Sequence, residues 1–231
     1  MRRKGLALIL ILVALLGLSS CKKEETEPPK EEEELSFDFD EEEEVVEIIY
    51  AKTPEEASDK CMDAIYTGDF SSAKQYVLEE GNARAEISRF RSGIKQSLEG
   101  ISKGVSGEKV ERLLRNTFNN TLCQRTGVEK NGDKATVSYL ISIPDMSGVN
   151  FSSYMSEYIA SQGMSMEEFM TKLETMTAEE NQKWSLELGV DILNYIYESK
   201  GSFSRIENTA TVVVENRKNG WIVTEINISQ S

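Results

Sequence analysis

Three cysteines, at 21, 61 and 123, are the strongest nucleophiles the chain offers, and no histidine accompanies them. The lack of His removes Ser-His and Cys-His nucleophile systems, His-based acid–base catalysis and most zinc sites. There is no CxxC pair, no phosphate-cradling Gly loop and no cluster at metal-ligand spacing, so no cofactor or metal is expected. The remaining acid–base candidates are Asp63, Asp69, Asp133, Asp145 and Asp191, with Tyr residues as possible oxyanion donors. None stands in a catalytic motif. Asp69 follows Gly68, as turn residues do, and Asp191 shares a polar helical strip with Glu187, Asn194 and Glu198. Cys61 and Cys123 are either a disulfide, which export would permit, or two free thiols packed as small apolar groups.

Six of the eight methionines fall between Met146 and Met176. Met155, Met166 and Met170, with Trp184, could line a groove for a peptide or lipid-like ligand, because flexible thioethers adapt to varied apolar partners. The same residues at helical spacing could equally be core.

The chain has 231 residues with a formal net charge of −14, 39% hydrophobic and 29% charged residues. An acidic chain lacks the basic footprint that nucleic acid requires. The acidity is uneven. Residues 22–50 carry three lysines against fourteen acids, including Glu31–Glu34 and Glu41–Glu44. Such a segment, broken by Pro28-Pro29, is expected to be a disordered, self-repelling tether of residues 21–50. Two apolar islands interrupt it, Leu35-Ser-Phe-Asp-Phe39 and Val45-Val-Glu-Ile-Ile-Tyr50. Either reads as an added edge strand or a short adhesive motif, and the second leads into the domain.

Arg2, Arg3 and Lys4 precede a 13-residue apolar run, Leu6–Leu18, too short to span a bilayer but suited to a secretory leader. Leu18-Ser19-Ser20-Cys21 follows and resembles the lipobox of bacterial lipoproteins. That resemblance implies a signal peptide of residues 1–20 cut after Ser20, and diacylglycerol on the Cys21 sulfur. The mature protein would be anchored by its lipid to the bacterial cell membrane, facing outward. Acyl chains contribute about 0.8 kcal/mol per buried CH₂.

The remainder, 51–231, reads as a single α+β domain. Thr53-Pro54-Glu55-Glu56 has the signature of a helix start with a capping box. Ala57, Cys61, Ala64 and Ile65 then share one face. Helical spacing recurs at Phe70–Val77, Ala83–Ile101 and Glu108–Phe118. Asn131-Gly132 marks a hairpin between Leu122–Lys130 and Lys134–Ile143, which Pro144 is expected to stop. Three helices over about 147–199 follow, the longest from Ala178 to Ser199, expected between the sheet and other helices. Asn219-Gly220 marks a second hairpin. The order predicts N-terminal helices packed on a curved antiparallel sheet of about four strands, with a large helical insertion before the last hairpin.

The run Thr53–Phe70 and the closing hairpin Val212–Val223 resemble the nuclear transport factor 2-like, or cystatin-like, cone fold of uncharacterised lipoproteins from Firmicutes-type bacteria. That resemblance implies a curved sheet wrapping a helix, often around a pocket, and hosts enzymes, binders and scaffolds alike. Three functions stay open: a non-enzymatic domain binding a small molecule or an envelope protein, an isomerase- or hydrolase-like enzyme with an Asp base, and a structural component of the envelope.

Overall fold

The computed structural model describes residues 46–102 and 104–230. The leader, Cys21, Ser20 and most of the acidic tether lie outside them. Four helices come first: α1 (Pro54–Thr67), α2 (Phe70–Gln75), α3 (Asn82–Ser102) and α4 (Gly107–Asn119). The hairpin β1 (Leu122–Asn131) and β2 (Lys134–Asp145) follows. Then come α5 (Phe151–Ser161), α6 (Met166–Thr175) and α7 (Ala178–Ser199), and last the hairpin β3 (Ser204–Arg217) and β4 (Gly220–Gln230). The sheet is antiparallel throughout, in the order β1-β2-β3-β4. The α+β architecture is the one expected, with the helical insertion between β2 and β3.

Local chemistry explains each boundary. The Thr53 hydroxyl accepts from the Glu56 N–H (3.1 Å), and Pro54 starts α1 where a missing N–H costs nothing. The Glu56 carboxylate reaches back one residue further than a capping box requires, to the Lys52 N–H. Gly68, left-handed at φ 83°, closes the helix, and Asp69 caps α2 through the Ser72 N–H. Complete capping boxes start α6 at Ser165 and α7 at Thr177.

Helix α1 lies across all four strands. Its Ala57, Cys61, Ala64 and Ile65 meet the inward row Ala135, Val137, Tyr139 and Ile141 of β2 and Ala210, Val212 and Val214 of β3, all buried. Period-2 alternation therefore sets the register, because a one-residue slip would turn this row to solvent. Bulges between Arg125 and Gly127 and opposite Val213/Val214 bend the outer strands.

Three expectations are corrected. Pro144 does not stop β2: it pairs with Arg205, and Asp145 with Ser204. Strand β1 ends opposite Ser142. Beyond that point β2 is itself an edge, where proline is tolerated. The two-residue turns sit one step later and one step earlier than the Asn-Gly dipeptides suggested: Gly132-Asp133, with Gly132 at φ 60°, and Lys218-Asn219. Finally, α7 is not sandwiched against the sheet. Its helix neighbours are α4, α5 and, through Trp184 against Phe169, α6, and α4 in turn packs on α1 and α3. The helical insertion thus extends the core sideways through Val190, Ile192, Leu193, Ile196 and Tyr197.

The two edges of the sheet differ. Along β4, Ala51 exchanges hydrogen bonds with Trp221, Leu78 donates to Val223, and Val223 donates to Tyr76. The Asn82 side chain accepts from the Ile226 N–H (2.8 Å). The second apolar island therefore does lead into the domain, where its Ile49 donates to Gln75. Among the described residues nothing pairs with the outer edge of β1.

Candidate functional site

Residues 59, 63 and 66 fall on one flank of α1, at i, i+4 and i+7. That flank faces the inward side of β1. Register places Cys123 beside Ile141 and Arg125 beside Tyr139. Asp59 is the centre of the resulting cluster. One carboxylate oxygen accepts from the Tyr139 hydroxyl (2.7 Å) and the other from an Arg125 guanidinium N–H (2.8 Å). The buried Ser58 hydroxyl donates to the Pro54 carbonyl and lies within reach of Tyr139.

The electrostatics set what this cluster can do. Burial above all, then the bond to Asp59, pushes the Tyr139 phenol up, so Tyr139 is a neutral donor. Burial also raises Tyr66, with the nearby Cys123 sulfur adding to it. Burial first and Asp63 and Asp59 next push the Cys123 thiol up to about 12. Asp63 is raised by partial burial and by Asp59. The site thus presents protonated phenols and a thiol around one salt-bridged carboxylate. It can orient a polar group by hydrogen bonds. A thiolate nucleophile is strongly disfavoured in it.

Cys61 and Cys123 are free thiols, so the pairing weighed from sequence is not made. Helix phase gives the reason. Cys123 neighbours the flank of Asp59 and Asp63, whereas Cys61, two residues from each, points about 200° away into the core. Burial alone raises Cys61 to about 12. Both thiols should therefore alkylate at pH 8 roughly a thousandfold slower than an ordinary cysteine, because the thiolate is the reactive form. Timed iodoacetamide labelling of the native domain checks this. Labelling at the rate of a free thiol would contradict the burial seen here.

The other sequence candidates take structural positions. Asp69 caps α2, Asp133 occupies a hairpin turn, and Asp145 accepts from the Ser147 N–H (2.9 Å); the Ser147 side chain first and this N–H next lower its pKa. The four residues of the expected methionine groove lie in different surroundings. Trp184 packs on Phe169 (ring centroids 5.0 Å) with Lys172 over its face. Met155 is half-buried against the core, while Met166 and Met170 lie 40% and 50% exposed. Phe169, one residue from Met170, takes the inward position on α6.

The polar strip of α7 is not a solvated face. It is zipped to α4. Lys109 pairs with Asp191 (2.7 Å), and Arg112 grips Glu198 through Nε (2.7 Å) and a second N–H. Asn194, 2% exposed, accepts from Asn116 (2.9 Å) and donates to the Lys109 carbonyl (3.1 Å). Tyr158 of α5 bonds Asp191, and burial first and Asp191 next push its phenol up to about 12.

This zipper carries a pH signature. The Arg112 hydrogen bond is the main cause of the lowered Glu198 pKa. A depressed folded value stabilises above the unfolded pKa and is lost as pH falls through the folded one. Arg112→Gln is therefore expected to weaken the protein at pH 7 more than at pH 3. Urea unfolding of both proteins at the two pH values measures the difference. An equal loss at both would show that the pair is electrostatically idle.

Asp59, Arg125 and Tyr139 were missed as a site by sequence reasoning. One signal was present: Tyr139 lies in the inward row of β2, and a buried phenol needs a partner. Among the described residues no group of three or more Cys, Asp or Glu is placed to hold a metal, and no helix is long and apolar enough to cross a membrane. Comparison with protein-family models, curated proteins and solved structures finds no match.

Proposed function

We propose that this chain is an exported lipoprotein, held at the membrane through acyl chains on Cys21, whose cone-like α+β domain binds a ligand or envelope protein without transforming it. The leader and Leu18-Ser19-Ser20-Cys21 support the anchor. One observation favours binding over turnover: both oxygens of Asp59 are engaged, by Tyr139 and by Arg125. An Asp base must be free to take a proton, and each oxygen of Asp59 already accepts a hydrogen bond. The enzyme alternative would need Asp59 released from Arg125. The structural alternative draws support from the zipper between α4 and α7, which spends charged groups on rigidity.

Intact-mass spectrometry of protein taken from membranes tests the anchor. The expected species starts at Cys21 and carries lipid. A species retaining residues 1–20 with an unmodified sulfur would refute it. Turnover found in a substrate screen and abolished by Asp59→Asn would overturn the binding reading in favour of an enzyme.

A further inference from the structure

We propose that α6 is a lid, hinged at residues 162–165 and at Met176-Thr177, that lifts off Trp184 while the rest of the helical insertion stays packed. Its grip on the molecule is slight. Of its ten residues only Phe169 is buried. Phe169 packs on the Trp184 indole of α7 (ring centroids 5.0 Å), and Lys172 lies over the same ring (5.3 Å). Among the described residues, every side-chain hydrogen bond of residues 165–176 stays inside that segment. Ser165 bonds Glu168, Thr171 donates to the Glu167 carbonyl, and Thr175 donates to the Lys172 carbonyl. Phe169 and Ile159 of α5 are also the buried side chains of the insertion that lie outside the main hydrophobic core. Such a satellite cluster can open without breaching that core.

The neighbouring helices are held by more. Asp191, Asn194 and Glu198 zip α7 to α4, and Tyr158 of α5 meets Tyr195 of α7 edge to face (5.8 Å). Nor does α7 lean on α6 to begin. Thr177 and Glu180 complete its own capping box, as Ser165 and Glu168 do for α6. Both hinges therefore join helices whose ends are satisfied locally. At the first, Gly163 takes φ 72°, and the N–H groups of Gln162, Gly163 and Met164 close α5 on its own carbonyls. At the second, Met176 and Thr177 are extended. Once lifted, α6 loses the packing that keeps it helical, since so short a helix is marginal alone in water. Undocking and amide exchange then coincide. The lifted lid bares the Trp184 indole, a seat for an aromatic ring with a cation beside it, the pair that Phe169 and Lys172 supply.

Hydrogen exchange of the full chain, read helix by helix, tests the lid. Phe169→Ala should speed exchange of the amides of residues 170–175 at least about tenfold and leave residues 190–197 and β2 unchanged. Alanine forms helix better than phenylalanine, so propensity alone would slow α6, and a faster rate reports lost docking. Trp184→Ala removes the seat instead. It should give a similar acceleration, and the two changes together little more than either. Met170→Ala, at an exposed position, is the control and should not speed α6. Unchanged α6 exchange in Phe169→Ala would overturn the lid. So would an acceleration shared equally by α5 and α7, which would show the insertion opening as one piece. The lid uses neither Cys21 nor Asp59, so its test is separate from those of the anchor and of binding.

Discussion

Gly81→Ala should cost about 3 kcal/mol, the upper range for forcing atoms into a packed interior. A β-carbon at Gly81 would sit 1.8 Å from the Thr224 carbonyl oxygen and 2.8 Å from its carbon. Both atoms belong to backbone, so no side chain can swing aside. Thr224 is the bulge residue of β4, its hydroxyl bonded to the Val213 carbonyl. The next residue, Asn82, holds the Ile226 N–H. Relief of the clash must therefore move the start of α3, the covered edge of β4, or both. For a domain of this size the melting temperature should fall by roughly 6–12 °C. Gly93→Ala is the matched control. It lies within α3 with nothing within 4 Å of the new carbon, and should stabilise by about 0.5–1 kcal/mol through helix propensity. Thermal melts of the three proteins decide the matter. A Gly81→Ala loss under about 1 kcal/mol would mean that α3 and β4 approach less closely than described.

Cys21→Ser should abolish fatty-acid incorporation altogether. Serine matches the thiol in size but not in nucleophilicity, and the lipoprotein reading requires a sulfur–carbon bond at this atom. One myristoyl chain binds a bilayer only marginally, at about 10⁴ M⁻¹, and a second turns that contact into stable attachment. Lys22 and Lys23 add about 1 kcal/mol each against anionic headgroups and cannot hold the protein alone. Growth with a labelled fatty acid, followed by gel analysis, gives the readout: signal in the parent chain and background in the variant. Label persisting in Cys21→Ser would move the modification elsewhere and undo the proposed anchor.

Helices and strands were legible because their signals are local. Thr53-Pro54, Ser165 with Glu168 and Thr177 with Glu180 each satisfy backbone groups within one turn. The alternation from Ala135 to Ile143 can bury only one face. What sequence could not show is which helix meets which. The strip Glu187, Asp191, Asn194 and Glu198 reads as a solvated face because its partners, Lys109, Arg112 and Asn116, lie about eighty residues away. The same distance hid the candidate site: Asp59 meets Tyr139 eighty residues on. Pro144 misled for a related reason, since whether proline ends a strand depends on how far the neighbouring strand extends.

The bond pair between Ala51 and Trp221 has a mechanical consequence. A pull applied to the chain ahead of residue 46 would enter the described domain at this point. Ala51 gives and takes one bond with Trp221, and Ile49 holds one carbonyl of Gln75. These three bonds sit upstream of the first turn of α1, so they act as a fuse. Under load they should yield one after another, releasing a few residues while the helices and sheet stay shut.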